Sequence, residues 1–162
     1  MGKKMKKKHV DYSCGFPVVL LNVPMVKVQD EWVLDINYDD LAKTVLLYLS
    51  KKPVPLTGNE IRFIRYYFGI TMREFAHRLG VKHPAIVKWE DKKDRFAAIT
   101  WGVEKDIRLF ILDKLCASNK DFREGYKDLE ELYSIIEASG RESEKIQLLK
   151  FTLHDGHLEM AG

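Results

Sequence analysis

The chain has 162 residues, 46% apolar and 31% charged, with a formal net charge of +3, a balance that suits a folded chain and excludes disordered or fibrous classes. Cys14 and Cys116 are its two cysteines, too few and too far apart for a disulfide framework or a C-x-x-C zinc site. No apolar run approaches the ~18 residues of a membrane helix, and no signal-peptide core follows the first lysines, so a cytoplasmic protein is expected.

The charge is unevenly spread. Residues 1–56 carry nine basic and six acidic side chains, residues 57–102 nine against five, and residues 103–162 nine against thirteen. A basic two-thirds thus precedes an acidic final third, which permits a polyanionic partner for the first part.

Lys3, Lys4, Lys6, Lys7 and Lys8 make residues 1–10 a basic tail, expected to be flexible. It is either a solvated end or an arm that tracks phosphates. Residues 11–55 read as a small strand-rich module with one helix. Segments 16–21 and 25–28 are strand candidates, Gln29-Asp30 a turn, and 32–36 the returning strand with Trp32, Leu34 and Ile36 alternating. A helix is expected over 39–49, and Lys51-Lys52-Pro53-Val54-Pro55 is a stiff linker.

Two capping boxes then stand in succession. Thr57 is followed three residues later by Glu60, and Thr71 by Glu74, each pair able to close the backbone donors at a helix start. Ile61, Ile64 and Phe68 share one helical face, and Gly69 suits the positive φ of a helix end. Phe75, Ala76 and Leu79 form the inner side of a second helix, stopped by Gly80. Pro84 fits the first turn of a third, anchored by Ile86, Val87 and Trp89. A helix over Met72–Leu79, a glycine turn and a helix over His83–Glu90 make a helix-turn-helix.

The run T-x-x-E-F-A-x-x-L-G-V-x-x-x-x-I-x-x-W-E, from Thr71 to Glu90, resembles the lambda repressor/Cro-like (XRE) helix-turn-helix family. That resemblance implies recognition of double-stranded DNA by the second helix of the pair. It places Lys82, His83, Pro84, Ala85, Val87 and Lys88 at the reading positions. Arg73 and Arg78 on the preceding helix, with Lys92 and Lys93 beyond it, are phosphate candidates. Met72 stands where the family usually carries a DNA-contacting glutamine, and Pro84, Ala85 and Val87 replace polar readers. Direct readout therefore leans on thymine methyl groups or DNA shape. The alternative is a protein-interaction module whose helix-turn-helix no longer reads DNA.

A narrower resemblance is to the MqsA (YgiT-type) antitoxin family. It rests on a small β module, a basic linker, and L-T-G-x-E-I-R-F-I-R at 56–65. Members typically bind zinc through two C-x-x-C pairs; this chain has only Cys14 in that region, so no metal and no cofactor is expected. The resemblance implies an antitoxin-type autorepressor, binding as a homodimer, with a toxin protein as possible partner.

A further helix is expected over 103–115. Ile107, Phe110, Ile111 and Leu115 form its buried face, and Leu109 and Leu112 widen it toward a second partner, expected to be the other subunit. Residues 121–137 read as an acidic amphipathic helix, 146–153 as a strand, and 157–160 as its return. Residues 117–162 are then a C-terminal helix and hairpin for dimerisation or partner docking, or simply an elaboration of the core. No P-loop, G-x-G-x-x-G or nucleophile elbow is present, and His154-Asp155-Gly156-His157 reads as a polar turn, so no enzyme is expected. The expected fold is α+β, mainly α: a small β-rich N-terminal module, a central five-helix repressor-like helix-turn-helix domain over 56–116, and a C-terminal helix with short strands.

Overall fold

The computed structural model describes residues 4–116, 118–139, 149–154 and 157–160. Among them the fold is α+β and mainly α, with six helices and a five-stranded sheet. The chain divides into two compact units, residues 1–44 with 147–162, and residues 45–146. The division falls inside a helix.

The first unit is built on one long strand. β1 (Lys4–Asp11) pairs antiparallel with β2 (Val18–Val28) along most of its length. The opposite edge of β2 is shared by two partners. Met25–Val28 pairs antiparallel with β3 (Glu31–Leu34), and Val18–Leu21 pairs in parallel with β4 (Leu149–His154). β5 (His157–Met160) then closes on β4. The β2–β3 turn is Gln29-Asp30, both with positive φ, which matches the right-handed twist of a two-residue hairpin.

Three expectations change here. Residues 4–10 of the expected basic tail are strand, not a flexible arm, because one edge of this segment pairs with β2 and the ladder runs on through Val10 and Asp11. The two strands expected at 16–21 and 25–28 are one; Asn22 (φ 54°) and Pro24 fall where β2 changes partner from β4 to β3, and on the β1 side the ladder passes from Lys6–Val23 to Lys8–Leu21 without a Lys7–Asn22 pair. The C-terminal hairpin belongs to this sheet, so residues 117–162 do not form one module, and the expected boundary at 55 moves to Thr44. The buried centre is Val18, Val19, Leu20 and Val23 with Leu149 and Phe151. Gly140, residues 146–148 and Asp155-Gly156, on which further expectations rested, lie outside the described residues.

α1 (Tyr38–Lys51) starts where Asn37 Oδ1 accepts from the backbone N–H of Asp39 and Asp40 at 3.0 and 3.2 Å. The helical unit takes in its second half, then α2 (Gly58–Tyr67), α3 (Met72–Leu79), α4 (His83–Glu90), α5 (Trp101–Leu115) and α6 (Asn119–Ser139). Phe68 and Phe75 meet Phe110 of α5 at ring separations of 4.9 and 6.2 Å. The second apolar side of α5 is covered within the chain: Leu112 clusters with Leu129, Leu132 and Ile136 of α6. A Cβ on Gly125 would stand 2.9 Å from Leu112 Cδ1, so that glycine lets α6 approach closely. The other subunit is therefore not needed to bury Leu112. Among the described residues no helix is long and apolar enough to cross a membrane.

Candidate nucleic-acid interface

Both capping boxes form. Thr57 Oγ1 accepts from Glu60 N at 3.3 Å while Thr57 N donates to Glu60 Oε1 at 3.1 Å. Thr71 Oγ1 accepts from Glu74 N at 3.1 Å while Thr71 N donates to Glu74 Oε2 at 2.7 Å. The backbone donor at Thr71 holds the Glu74 carboxyl below the usual carboxylate range. α3 ends at Gly80 in the left-handed region, φ 67°, and Val81 N reaches back to Ala76 O at 3.0 Å. The turn between α3 and α4 is thus set by backbone chemistry that the sequence specifies locally.

α4 differs from its neighbours. Its N-cap is Lys82, with no side-chain cap bond and no acidic residue in the first turn. The positive end of the helix therefore stands beside Lys82 and His83 rather than being neutralised. Inside, Ile86 is fully buried, and the second anchor is charged: Glu90 takes two hydrogen bonds from Arg65 of α2, Nε to Oε1 at 2.6 Å and Nη2 to Oε2 at 3.1 Å. Arg65 Nη1 also donates to Ile70 O at 3.3 Å, which fixes the α2–α3 loop. That bidentate bond to Glu90 pushes the Arg65 guanidinium up. Glu90, the last residue of α4 as expected, also locks α4 to α2, whereas the expected anchors Val87 and Trp89 are only half-buried.

The far end of α4 is held by backbone contact. A Cβ on Gly58 would meet Trp89 O at 2.3 Å and Lys93 N at 2.7 Å. Asn59 N donates to Lys93 O at 2.8 Å, and Ala97 N to Leu56 O at 3.0 Å, so the chain after α4 runs against the start of α2.

Behind α2 lies a buried polar group that the sequence reading missed. Lys52 pairs with Glu60, donating to Oε2 at 2.9 Å and to Pro55 O at 3.2 Å. Glu104 Oε1 accepts from Leu56 N at 2.8 Å. Arg108, wholly buried, donates to Lys52 O and Val54 O, each at 2.8 Å, and to Leu49 O at 3.2 Å. These four side chains pin the 51–56 linker to α2 and α5. The available signal was Glu104 and Arg108 one turn apart on the apolar side of α5, beside Ile107 and Ile111.

The expected site residues divide. Arg73, Lys82, His83, Pro84 and Lys88 are exposed, and Ala85 and Val87 half-buried. Pro84 and Lys88, one turn apart, lie on the side of α4 opposite Ile86 and Glu90. Lys93 is exposed and Lys92 half-buried just past the helix. Arg78 is partly engaged elsewhere: it stands over the Phe110 ring at 4.7 Å and 3.8 Å from Asp106. Among the described residues no group of three or more His, Cys, Asp or Glu gathers to hold a metal ion. Cys14 is buried in the sheet unit beside Asp11 and Ser13, and desolvation pushes its thiol up to about 11. The donor set does not fit the zinc site that the antitoxin resemblance implies. No family model, curated protein or solved structure matches the chain.

Proposed function

We propose that the chain is a sequence-specific DNA-binding transcriptional regulator that presents α4 to the major groove. The observation carrying this is the row of exposed basic side chains, Arg73 on α3 with Lys82, His83 and Lys88 at the start and along the outside of α4, whose inner face is fixed by the Arg65–Glu90 pair. Lys82, Lys88 and Arg73 would neutralise phosphates and set register. Pro84, Ala85 and Val87 carry no side-chain donor, so sequence would be read through thymine methyl groups and DNA shape. Lys93 would extend the phosphate contacts; Arg78 would contribute less, because Asp106 competes for it.

In this reading the protein is a cytoplasmic autorepressor of the antitoxin type. It would occupy the DNA upstream of its own gene as a homodimer, excluding polymerase, with a toxin as a second partner. The resemblance at 56–65 and 71–90 supports that extension. The same donor-poor positions, with Met72 half-buried at the start of α3, favour the second reading, a protein-interaction module. A mobility-shift titration against the chain's own upstream DNA, with unrelated DNA as competitor, separates the two. The regulator reading predicts a specific shift that Lys82→Ala/Lys88→Ala abolishes. Equal binding to upstream and unrelated DNA would remove autoregulation from the account.

A further inference from the structure

On β1, Lys4, Lys6 and Lys8 pair with Met25, Val23 and Leu21 of β2. Directly paired residues project from the same face and successive residues alternate, so these three lysines stand on one face and Lys7 on the other. The register carries that face onward. Leu21 pairs with Thr152, which puts Lys150 beside it, and Lys27 pairs with Trp32. All five of these lysines are exposed, and Trp32 is 38% exposed with Lys4 Nζ 5.5 Å from its ring centre. Lys27 has a counter-ion, Asp30 at 3.3 Å, and Lys6 lies 3.3 Å from His9 Nδ1. Among the described residues, the acid that the register places on this face is Glu159, paired with Thr152, on the far strand β5.

Lysines on an edge strand discourage edge-to-edge aggregation whichever face they take. That role does not call for three in register on one face, with Lys150 continuing the charge across β2. We propose that this comb is a second contact for the phosphate backbone of duplex DNA, separate from the helix-turn-helix and indifferent to sequence. Alternate residues of a strand stand about 6.8 Å apart, so the three lysines leave the strand as an evenly spaced row. Ammonium groups bind phosphate as point charges without a planar preference, which suits a uniform polyanion rather than a base edge. The choice of duplex over other phosphate chains rests on the DNA-binding reading above; the charge row itself does not.

The test titrates the full-length chain with a short unrelated duplex by fluorescence anisotropy over a series of salt concentrations. Lys4→Gln/Lys6→Gln/Lys8→Gln is expected to lower the slope of log affinity against log salt by about two to three, one phosphate for each lysine. The ratio of upstream to unrelated affinity should not change, and the matching triple arginine variant should restore the slope, which excludes misfolding as the cause. Lys120→Gln/Lys127→Gln, on α6, should leave the slope as it was. A triple glutamine variant with wild-type slope and affinity would overturn the proposal, as would an equal loss in the α6 control. A loss confined to single-stranded DNA, or equal competition by poly-glutamate, would overturn the duplex assignment. Should Lys82→Ala/Lys88→Ala bind upstream DNA like wild type while the comb variant loses its slope, the helix-turn-helix reading fails and this one stands.

Discussion

The two units are held together by opposite means. In the sheet unit, position follows from ladder pairing and apolar side chains, and among its described residues Asp11 is the one buried charged side chain. In the helical unit, the elements that aim α4 are tied by buried ions: Arg65 to Glu90, Lys52 to Glu60, and Arg108 to Glu104 and four carbonyls. Apolar packing alone tolerates small slides between helices, whereas a bidentate guanidinium–carboxylate pair has one good geometry. In the proposed function α4 would need its angle fixed, and the buried charges lie where that angle is decided.

The strongest way to break the contrast is to remove one ion. Arg65→Ala leaves Glu90 buried without a partner and should cost about 3–5 kcal/mol in a denaturant titration, while Arg65→Met/Glu90→Leu should recover most of that. If the double variant kept its fold but lost specific DNA binding, the pair would be acting through orientation. Gly58→Ala comes next: its methyl meets backbone of α4 and the segment beyond, so a loss of about 2–3 kcal/mol is expected. Gly102→Ala, with nothing within 4 Å, should instead be neutral or stabilising by up to about 1 kcal/mol in the same titration.

The sheet unit offers a test by pH. Burial raises the Cys14 thiol from its ordinary 9.0 to about 11. The folded form therefore keeps its proton where the unfolded chain releases it. The stability this confers is full below pH 9 and is lost as pH rises toward 11, on the order of 2 kcal/mol. Unfolding curves of wild type and Cys14→Ala should converge over that window, and a constant gap would contradict the burial account. The smallest effect is Thr71→Ala, about 1 kcal/mol from the α3 cap, read as a lowered melting temperature. Acid should weaken the same cap from the other side. The Glu74 carboxyl is held below its ordinary range, so its contribution is present above that range and lost as pH falls through the lowered value.

What was legible in the sequence was local. The bounds of α3 and α4 follow from Thr71, Gly80 and Pro84, and the hairpin turn from Gln29-Asp30, because each depends on residues within a few positions. Two features were not legible. The parallel pairing of β2 with β4 joins residues over a hundred positions apart, and an apolar strand carries no address for its partner. The buried charges were hidden for a related reason: a helical pattern marks Arg65 and Arg108 as polar and so assigns them to solvent, although their neighbours Ile61, Ile64, Ile107 and Ile111 are core. Arg78 shows the converse, an exposed arginine whose charge is partly taken by Asp106.

The measurement that tests the central claim most directly is hydrogen exchange of the full-length chain with and without saturating upstream duplex. The account predicts slowed exchange over residues 82–88, with the N-terminal turn of α3 affected less. Unchanged exchange over 82–90 at saturation would contradict it, since a helix seated in the groove cannot leave its own backbone as exposed as before.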